Sequence, residues 1–397
     1  MRIVLAHNFY QQPGGEDSVF RSEYDLLRLH GHDVVRYELH NDAVQGMGRL
    51  AVLGSTMWNR RSHAEILALA TSHRADIVHF HNTFPLISPS GYAAARAAGA
   101  AVVQTLHNFR LLCPGAVFFR DGKVCEQCLG LRIATPAIAN KCYRDSRVAS
   151  AAVTTMLATH RALGTWADAV DAYVTPTRFA RDKFVAGGLP PDRLFVKPNF
   201  LDPDPGPGDG DGGYAIFVGR LSHEKGLGTL LAAWEVLSES VPLKIVGDGP
   251  LAPQVQDLVA RNRAVEWLGR RAPAEVYDLI GRAALLVFPS ECYETFGRVA
   301  AEAFAKGTPV IASNHGAMAD VVAHDRTGLV FRPGDGPDLA RQVRRLLGDP
   351  PMIARTRAAA RREYLDKFTG PINHEQLLAI YRRALATAGR HRDRPAA

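Results

Sequence analysis

Short, largely apolar runs recur along this chain, each followed by a loop and a helical stretch, and no other feature restricts the fold as much. The clearest case is Ala284-Leu285-Leu286-Val287-Phe288. A run of this length without a polar residue reads as a strand buried on both faces, as in a parallel sheet. A turn follows, then an Ala-rich helix that opens near Phe296 and closes at Lys306-Gly307. Runs at 3–6, 33–39, 76–81, 101–107 and 172–176 repeat the pattern in the first half, with a helix at 16–30 ended by Gly31. Runs at 215–218, 243–246, 265–268, 285–288 and 310–312 repeat it in the second. Strands alternating with helices imply parallel βαβ units and an α/β class. Residues 201–213 contain only Leu, Asp, Pro and Gly, so they read as a linker between domains at 1–200 and 214–372. A last helix at about 373–390 is amphipathic through Leu377, Ile380, Tyr381 and Leu385. At 397 residues the chain can fill two substantial cores.

This pattern puts chemistry at strand ends. Glu294 follows the 285–288 strand and precedes a helix N-terminus; Glu302 lies two helical turns on. In open α/β sheets, ligands bind beyond the carboxyl ends of the strands. The N–H groups of Thr295, Phe296 and Gly297 could hold a phosphate there. Two carboxylates beside an anion site suit a ligand with phosphates and hydroxyls, such as a nucleotide sugar. Arg220 and Lys225 follow the 215–218 strand in the same way. A guanidinium fork and an ammonium point charge can together neutralise a diphosphate leaving group as a sugar–phosphate bond breaks. The plainer alternative is a solvated helix face and two surface cations. A glycosidase acid/base pair is rejected, because both carboxylates come from one short segment rather than from opposite sides of a sugar ring. Gly14-Gly15 opens the first helix, either as a close approach to phosphate or as a simple turn. His107 closes a strand and can donate a hydrogen bond to a sugar hydroxyl or a reacting oxygen. His79 and His81 share a face of an earlier strand; His81, at its end, is the one expected to reach ligand, and His79 reads as a satisfied core residue.

Two blocks carry a family resemblance. Glu294-Thr295-Phe296-Gly297-x4-Glu302, followed by Lys306-Gly307-Thr308-Pro309-Val310, resembles the donor motif of family four glycosyltransferases. The run Phe217-Val218-Gly219-Arg220-Leu221-Ser222-His223-Glu224-Lys225-Gly226 is similar to a second block of that family. The resemblance covers nearly the whole chain. It implies the GT-B fold, two Rossmann-like doubly wound domains facing a central cleft, with the terminal helix crossing back onto the first. It implies that the carboxylate at Glu302 binds the donor ribose, that Glu294 lies near the transferred sugar with the following amides holding it, and that the loop at Gly14 and Gly15 contacts the diphosphate. It places His107 at the reaction centre and, with His81, on the acceptor side. The activity it implies is retaining transfer of a hexose or deoxyhexose from a nucleotide-diphosphate sugar to a glycan or lipid-linked acceptor, in cell-surface polysaccharide or glycolipid synthesis. Arg220, Lys225, Glu294 and His107 would carry the catalysis. No cofactor is expected for the transfer: Asp202-Pro203-Asp204 and Asp209-Gly210-Asp211 resemble a metal-binding Asp-x-Asp, but they lie in the linker with no strand ahead.

The cysteines are unusual. Cys113, Cys125, Cys128 and Cys142 fall in one loop-rich insert that begins just after His107, spaced Cys-x11-Cys-x2-Cys-x13-Cys, and Cys292 stands apart. A tight central pair with two flanking thiols suits structural zinc; unpaired thiols, a regulatory disulfide or an iron–sulfur cluster stay open. The net charge of +7 favours an anionic partner: a nucleotide diphosphate, a lipid-linked phosphate or an anionic membrane. The basic residues are scattered and no nucleic-acid motif is present, so nucleic acid is not expected. Arg60-Arg61, the 178–184 stretch and the tail from Arg390 to Arg394 are basic clusters that read as solvated surface or as peripheral membrane contacts. The first six residues read directly as a strand and no segment is long and apolar enough to span a bilayer, so the expected location is the cytoplasm, including the inner membrane face. Two competing readings are an epimerase of similar fold, which would need no acceptor, and a non-catalytic, zinc-stabilised binding module.

Overall fold

The computed structural model describes residues 1–11 and 14–392, without the side chains at 49, 391 and 392. Arg394 of the basic tail therefore lies outside the described residues. In chain order the strands are β1 (Arg2–Phe9), β2 (Asp33–His40), β3 (Ile77–Asn82), β4 (Ala101–Thr105), β5 (Phe119–Arg120), β6 (Lys123–Val124), β7 (Ala172–Thr175), β8 (Leu194–Val196), β9 (Ala215–Val218), β10 (Leu243–Val246), β11 (Val265–Gly269), β12 (Leu285–Phe288), β13 (Val310–Ser313) and β14 (Gly328–Phe331). They form two six-stranded sheets ordered β2-β1-β3-β4-β7-β8 and β11-β10-β9-β12-β13-β14, plus the small hairpin β5-β6. Every pairing in both large sheets is parallel.

The chain divides into two compact units. The first holds Met1–Val117, Glu126–Pro198 and the chain from Asn373; the second holds Phe118–Cys125 and Asn199–Ile372. In the second unit the strands show why an unbroken apolar run is needed. Phe217, Ile245, Leu285 and Val287 join one core cluster, while Ile216, Val246, Leu286 and Phe288 join another. Alternate residues point to opposite faces and both faces are covered. Read in sequence, the strand order of this sheet is 3-2-1-4-5-6, which reverses between β9 and β12. In the first unit the reversal falls between β1 and β3. There Leu377, Ile380, Tyr381, Ala384 and Ala388 of the terminal helix (Gly370–Arg392) join Ile3, Leu5, Ile77, Val103 and Val174 in one cluster. Their spacing of three, one, three and four residues is a single helical stripe.

Three features differ from the sequence reading. Residues 201–213 belong to the second unit: Gly208, Gly210 and Gly212 donate backbone hydrogen bonds to Lys306, Gly281 and Arg282 carbonyls, and Arg361 pairs with Asp204 at 2.5 Å. The chain changes units at 198–199 and again at 372–373. Eight residues of the cysteine insert, carrying β5-β6, count with the second unit, where the Phe118 ring lies 6.1 Å from that of Tyr293. The edge strands β8 and β14 were not anticipated, since one is three residues long and the other opens on a glycine.

Candidate active site

In the second unit, β9 and β12 lie side by side where the strand order reverses, and their following loops are stitched together. The amides of Glu291 and Cys292 donate to the Glu224 carbonyl at 3.0 and 3.2 Å, and Thr229 Oγ1 donates to Glu291 Oε1 at 2.6 Å. Gly226 ends the turn at His223–Lys225 with φ of 70°, in the left-handed region; a Cβ there would stand 1.8 Å from the Pro289 carbonyl oxygen. This close approach brings two motifs, 69 residues apart in sequence, into contact: Lys225 Nζ donates to Glu294 Oε1 at 2.6 Å. Ser290 Oγ donates to the same oxygen at 2.7 Å, and the Ser290 carbonyl accepts from His315 Nε2 at 2.8 Å.

Burial works against both charges of the pair. The Glu294 carboxylate nevertheless overrides it and holds Lys225 above the ordinary ammonium range. Lys225 and the Ser290 hydroxyl likewise hold Glu294 below the usual carboxylate range despite burial. The result is a preformed ammonium that is 32% exposed, on a carboxylate that is 15% exposed. Glu302 pairs with Arg298 at 3.1 Å, and burial pushes its carboxyl upward against the pull of that guanidinium. The helix begins at Arg298, with Gly297 before it at φ of 82° and Met318 Cε 2.2 Å from where a Cβ would lie. Thr295, Phe296 and Gly297 therefore belong to the loop, and the helix starts two residues later than the sequence pattern places it. Arg220 is exposed just past β9. Cys292 is buried, and burial pushes its thiol up, so it is no nucleophile at neutral pH.

In the first unit, the helix Gly15–Leu29 starts at Gly14, whose backbone is extended. No atom lies within 4 Å of a Cβ built on Gly14 or Gly15, so neither is required by internal crowding. Asp17 anchors this loop: its Oδ1 contacts His7 Nε2 at 2.7 Å, and its Oδ2 accepts from the Gly14 amide at 2.9 Å. His79 is buried, with ring nitrogens on the Tyr381 hydroxyl (2.9 Å) and Thr105 Oγ1 (2.8 Å). His81 is also buried, 2% exposed, with Nδ1 3.0 Å from His107 Nε2. His81 and His107 line a small recess at the carboxyl ends of β3 and β4, together with Asn82, Gln104, Arg110 and Trp166; His79 is not part of that lining.

Sequence reasoning missed Glu23, Lys197 and Asn373, all buried in this unit. Lys197 Nζ contacts Glu23 Oε1 and donates to Asn373 Oδ1 at 3.0 Å. No local pattern could have flagged them, since 174 and 176 residues separate each pair.

None of the five cysteines forms a disulfide. Cys113 and Cys142 flank Gly115, and Cys128 and Cys142 join a small apolar cluster with Ala134 and Ala137. Among the described residues, Glu23, His79 and His81 are the one group of three ligating side chains with donor atoms within 4.8 Å of one another. Zinc–sulfur bonds of about 2.3 Å bring sulfurs to roughly 3.8 Å in a tetrahedral site. No three of the cysteines are gathered to that spacing among the described residues. No helix among the described residues is long and apolar enough to cross a membrane.

Comparison with known proteins follows the same division. Residues 27–205 match the family model described as Glycosyltransferase Family 4, and residues 212–349 the model described as Glycosyl transferases group 1. Glycogen synthase of Mycobacterium tuberculosis is 36% identical over 159 residues, which are 38% of this chain and 38% of that protein. The match thus covers less than half the length of that curated relative. HepE of Anabaena, solved in complex with UDP-glucose, aligns over 95% of this chain and 99% of its own, with a TM-score of 0.67 at 20% identity. Sucrose-phosphate synthase from Thermosynechococcus elongatus aligns over 97% and 100%, with a TM-score of 0.73 at 17% identity. At these identities the likeness establishes the fold: two parallel-sheet, Rossmann-like α/β domains of the GT-B glycosyltransferase type.

Proposed function

Taking the chain as two glycosyltransferase-type domains in the GT-B fold, we propose that it transfers a hexose or deoxyhexose from a nucleotide-diphosphate sugar to a glycan or lipid-linked acceptor, with retention at the anomeric carbon. The second unit binds the donor. Lys225 and Arg220 take the diphosphate, the loop amides of Thr295 to Gly297 and Glu294 hold the sugar, and Glu302 holds the ribose. The first unit binds the acceptor in the recess lined by His81 and His107, and the loop at Gly14 and Gly15 reaches the diphosphate.

The observation that carries this reading is the Lys225–Glu294 contact of 2.6 Å at the strand-order reversal. It supplies fixed positive charge where charge develops on a leaving phosphate, with no reorganisation at the moment of reaction. The positive charge comes from side chains, which is why the transfer is proposed to run without a metal ion. Contact with an anionic membrane is part of the proposal for the first unit, where Leu50 and Trp58 are exposed near Arg60 and Arg61. Co-sedimentation with vesicles that does not depend on anionic lipid would remove that part.

The test is a thermal-shift screen of purified protein against nucleotide-diphosphate sugars. A selective rise in Tm with one donor, lost in Glu302→Ala, is the expected result. No shift with any donor from folded protein would overturn the proposal. Product analysis with the selected donor separates transfer from epimerisation, and zinc content measured on the same sample tests the four-cysteine reading.

A further inference from the structure

A second hollow lies on the first unit, apart from the recess of His81 and His107. It is an open cleft of about 370 Å³ between the helix Gly15–Leu29 and the carboxyl ends of β1 and β2. That volume falls in the range of small-molecule sites. The strand register sets its floor. Phe9 pairs with His40, and His7 with Glu38, across the two parallel strands. Side chains alternate along a strand, so His7 and Phe9 share a face with Arg36, Glu38 and His40. The helix packs on this face through Phe20, whose ring stacks on His7 with centroids 4.8 Å apart. Beyond His7, towards the strand ends, Phe9, Glu38 and His40 line the cleft.

Charge in the lining is balanced. Asp17 is held by His7 and the Gly14 amide, and Glu38 is ion-paired with Arg36 at 3.1 Å with its side chain 36% exposed. Arg21 sits over the Phe9 ring, 5.1 Å from its centroid, and forms no ion pair among the described residues. Two guanidiniums face two carboxylates, so the cleft has no surplus of either sign with which to draw a phosphate or a metal ion. It offers planar donors and acceptors beside two aromatic rings, Phe9 and Tyr10. A sugar residue matches both, because its ring carbons give an apolar C–H face and its hydroxyls each donate and accept. The cleft sits over β2 and β1 and the recess over β3 and β4, consecutive in the order β2-β1-β3-β4. At a strand spacing of about 4.8 Å, their centres stand roughly 10 Å apart, comparable to the length of a disaccharide. Their rims meet where Asn108 of the recess donates to the Tyr10 hydroxyl of the cleft at 3.5 Å. We propose that this cleft is a second glycan subsite, so that the acceptor is an oligosaccharide. One sugar residue lies in the recess of His107 and its neighbour in the cleft, with hydroxyls on Arg21 and Glu38 and the C–H face towards Phe9 and Tyr10. This deepens the acceptor reading above and rests on it, and it selects a glycan over a bare lipid phosphate.

The experiment is saturation-transfer difference NMR, by titration, on the full chain without donor. The probes are the methyl glycosides of glucose, galactose, mannose and rhamnose and the disaccharides built from each. At least one disaccharide is expected to bind about tenfold more tightly than its methyl monosaccharide. In Arg21→Ala and in Glu38→Ala that disaccharide should weaken about tenfold, the loss of one hydrogen bond to a charged group, while the monosaccharide binds as in wild type. Both side chains are exposed, so the Tm of each variant should match wild type; if one variant is destabilised, the other decides. No disaccharide bound by folded wild type overturns the proposal, and so does a disaccharide that binds both variants as it binds wild type. Equal loss of monosaccharide and disaccharide marks a structural role and overturns it as well. Inorganic phosphate and vesicles containing anionic lipid are run on the same samples. Binding of either that is lost in Arg21→Ala makes the cleft an anion site and overturns the choice of a sugar. No donor is needed, so the two readings fail separately: disaccharide binding with a failed donor screen supports the cleft and counts against transfer, and the reverse result removes the cleft alone.

Discussion

Gly226→Ala tests the claim that one close backbone approach holds the loops of Lys225 and Glu294 together. At φ of 70°, alanine pays about 1–2 kcal/mol for the left-handed conformation. Its Cβ would also stand 1.8 Å from the Pro289 carbonyl oxygen, where an ordinary contact is about 3.4 Å, so the loop after β12 must retreat by roughly 1.5 Å. Overpacking of that kind adds about 1–3 kcal/mol. The sum is about 2–5 kcal/mol, or a fall in Tm on the order of 5–15 °C for a unit of this size. The retreat carries Glu294 away from Lys225, and a misplacement on the order of 1 Å costs about 100-fold in a preorganised site. Calorimetry gives the Tm, and titration with the nucleotide-diphosphate sugar selected in the thermal-shift screen gives the affinity. Gly228→Ala is the control: it lies two residues on, inside the helix Leu227–Leu237, where a Cβ meets nothing within 4 Å. The control should hold Tm or raise it. If Gly226→Ala melts with wild type and binds the selected donor equally well, the steric argument is wrong.

Two further outcomes follow from the charged groups. Lys225→Met leaves the Glu294 carboxylate with the Ser290 hydroxyl and without its lysine partner; affinity for the donor selected in the thermal-shift screen, by calorimetry, should fall about 100-fold, the scale of a lost charge-assisted contact, while the circular dichroism spectrum is unchanged. In the first unit, burial lowers the pKa of His7, His79 and His107, so the unfolded chain binds more protons than the folded one between the lowered values and the ordinary value of 6.5. Stability from these groups is fully present above pH 6.5 and is lost as pH falls below it, at about 1 kcal/mol per pH unit for each group. Urea unfolding followed between pH 7.5 and 5.5 should show the first unit weakening; a first unit that holds or gains stability on acidification would contradict the buried-neutral assignment.

What the sequence made legible were features encoded within some fifteen consecutive residues. Nine of the twelve strands of the large sheets were placed from largely apolar runs to within two residues at each end, because a strand covered on both faces tolerates few polar residues. The loop of Glu294 was found for the same reason: a ligand site past a strand end is tied to that strand's position. Other features depended on contacts the sequence does not order. The buried group of Glu23 on the first helix, His81 on β3, Lys197 after β8 and Asn373 on the terminal helix went unseen because its four segments spread over 350 residues. The boundary at 201–213 failed for a related reason. A Pro/Gly stretch without a hydrophobic period looks unattached, yet three of its glycines donate backbone hydrogen bonds to carbonyls on the second unit, and Gly208 and Gly212 leave no room there for a Cβ. Glycine marks a close approach of backbone to backbone as readily as it marks a hinge, and composition alone does not say which. The same ambiguity attends Gly14 and Gly15, where the space a Cβ would fill is open. There the open space is what the diphosphate proposal requires, and replacing either glycine should cost nucleotide-sugar affinity while leaving the Tm of the free protein unmoved.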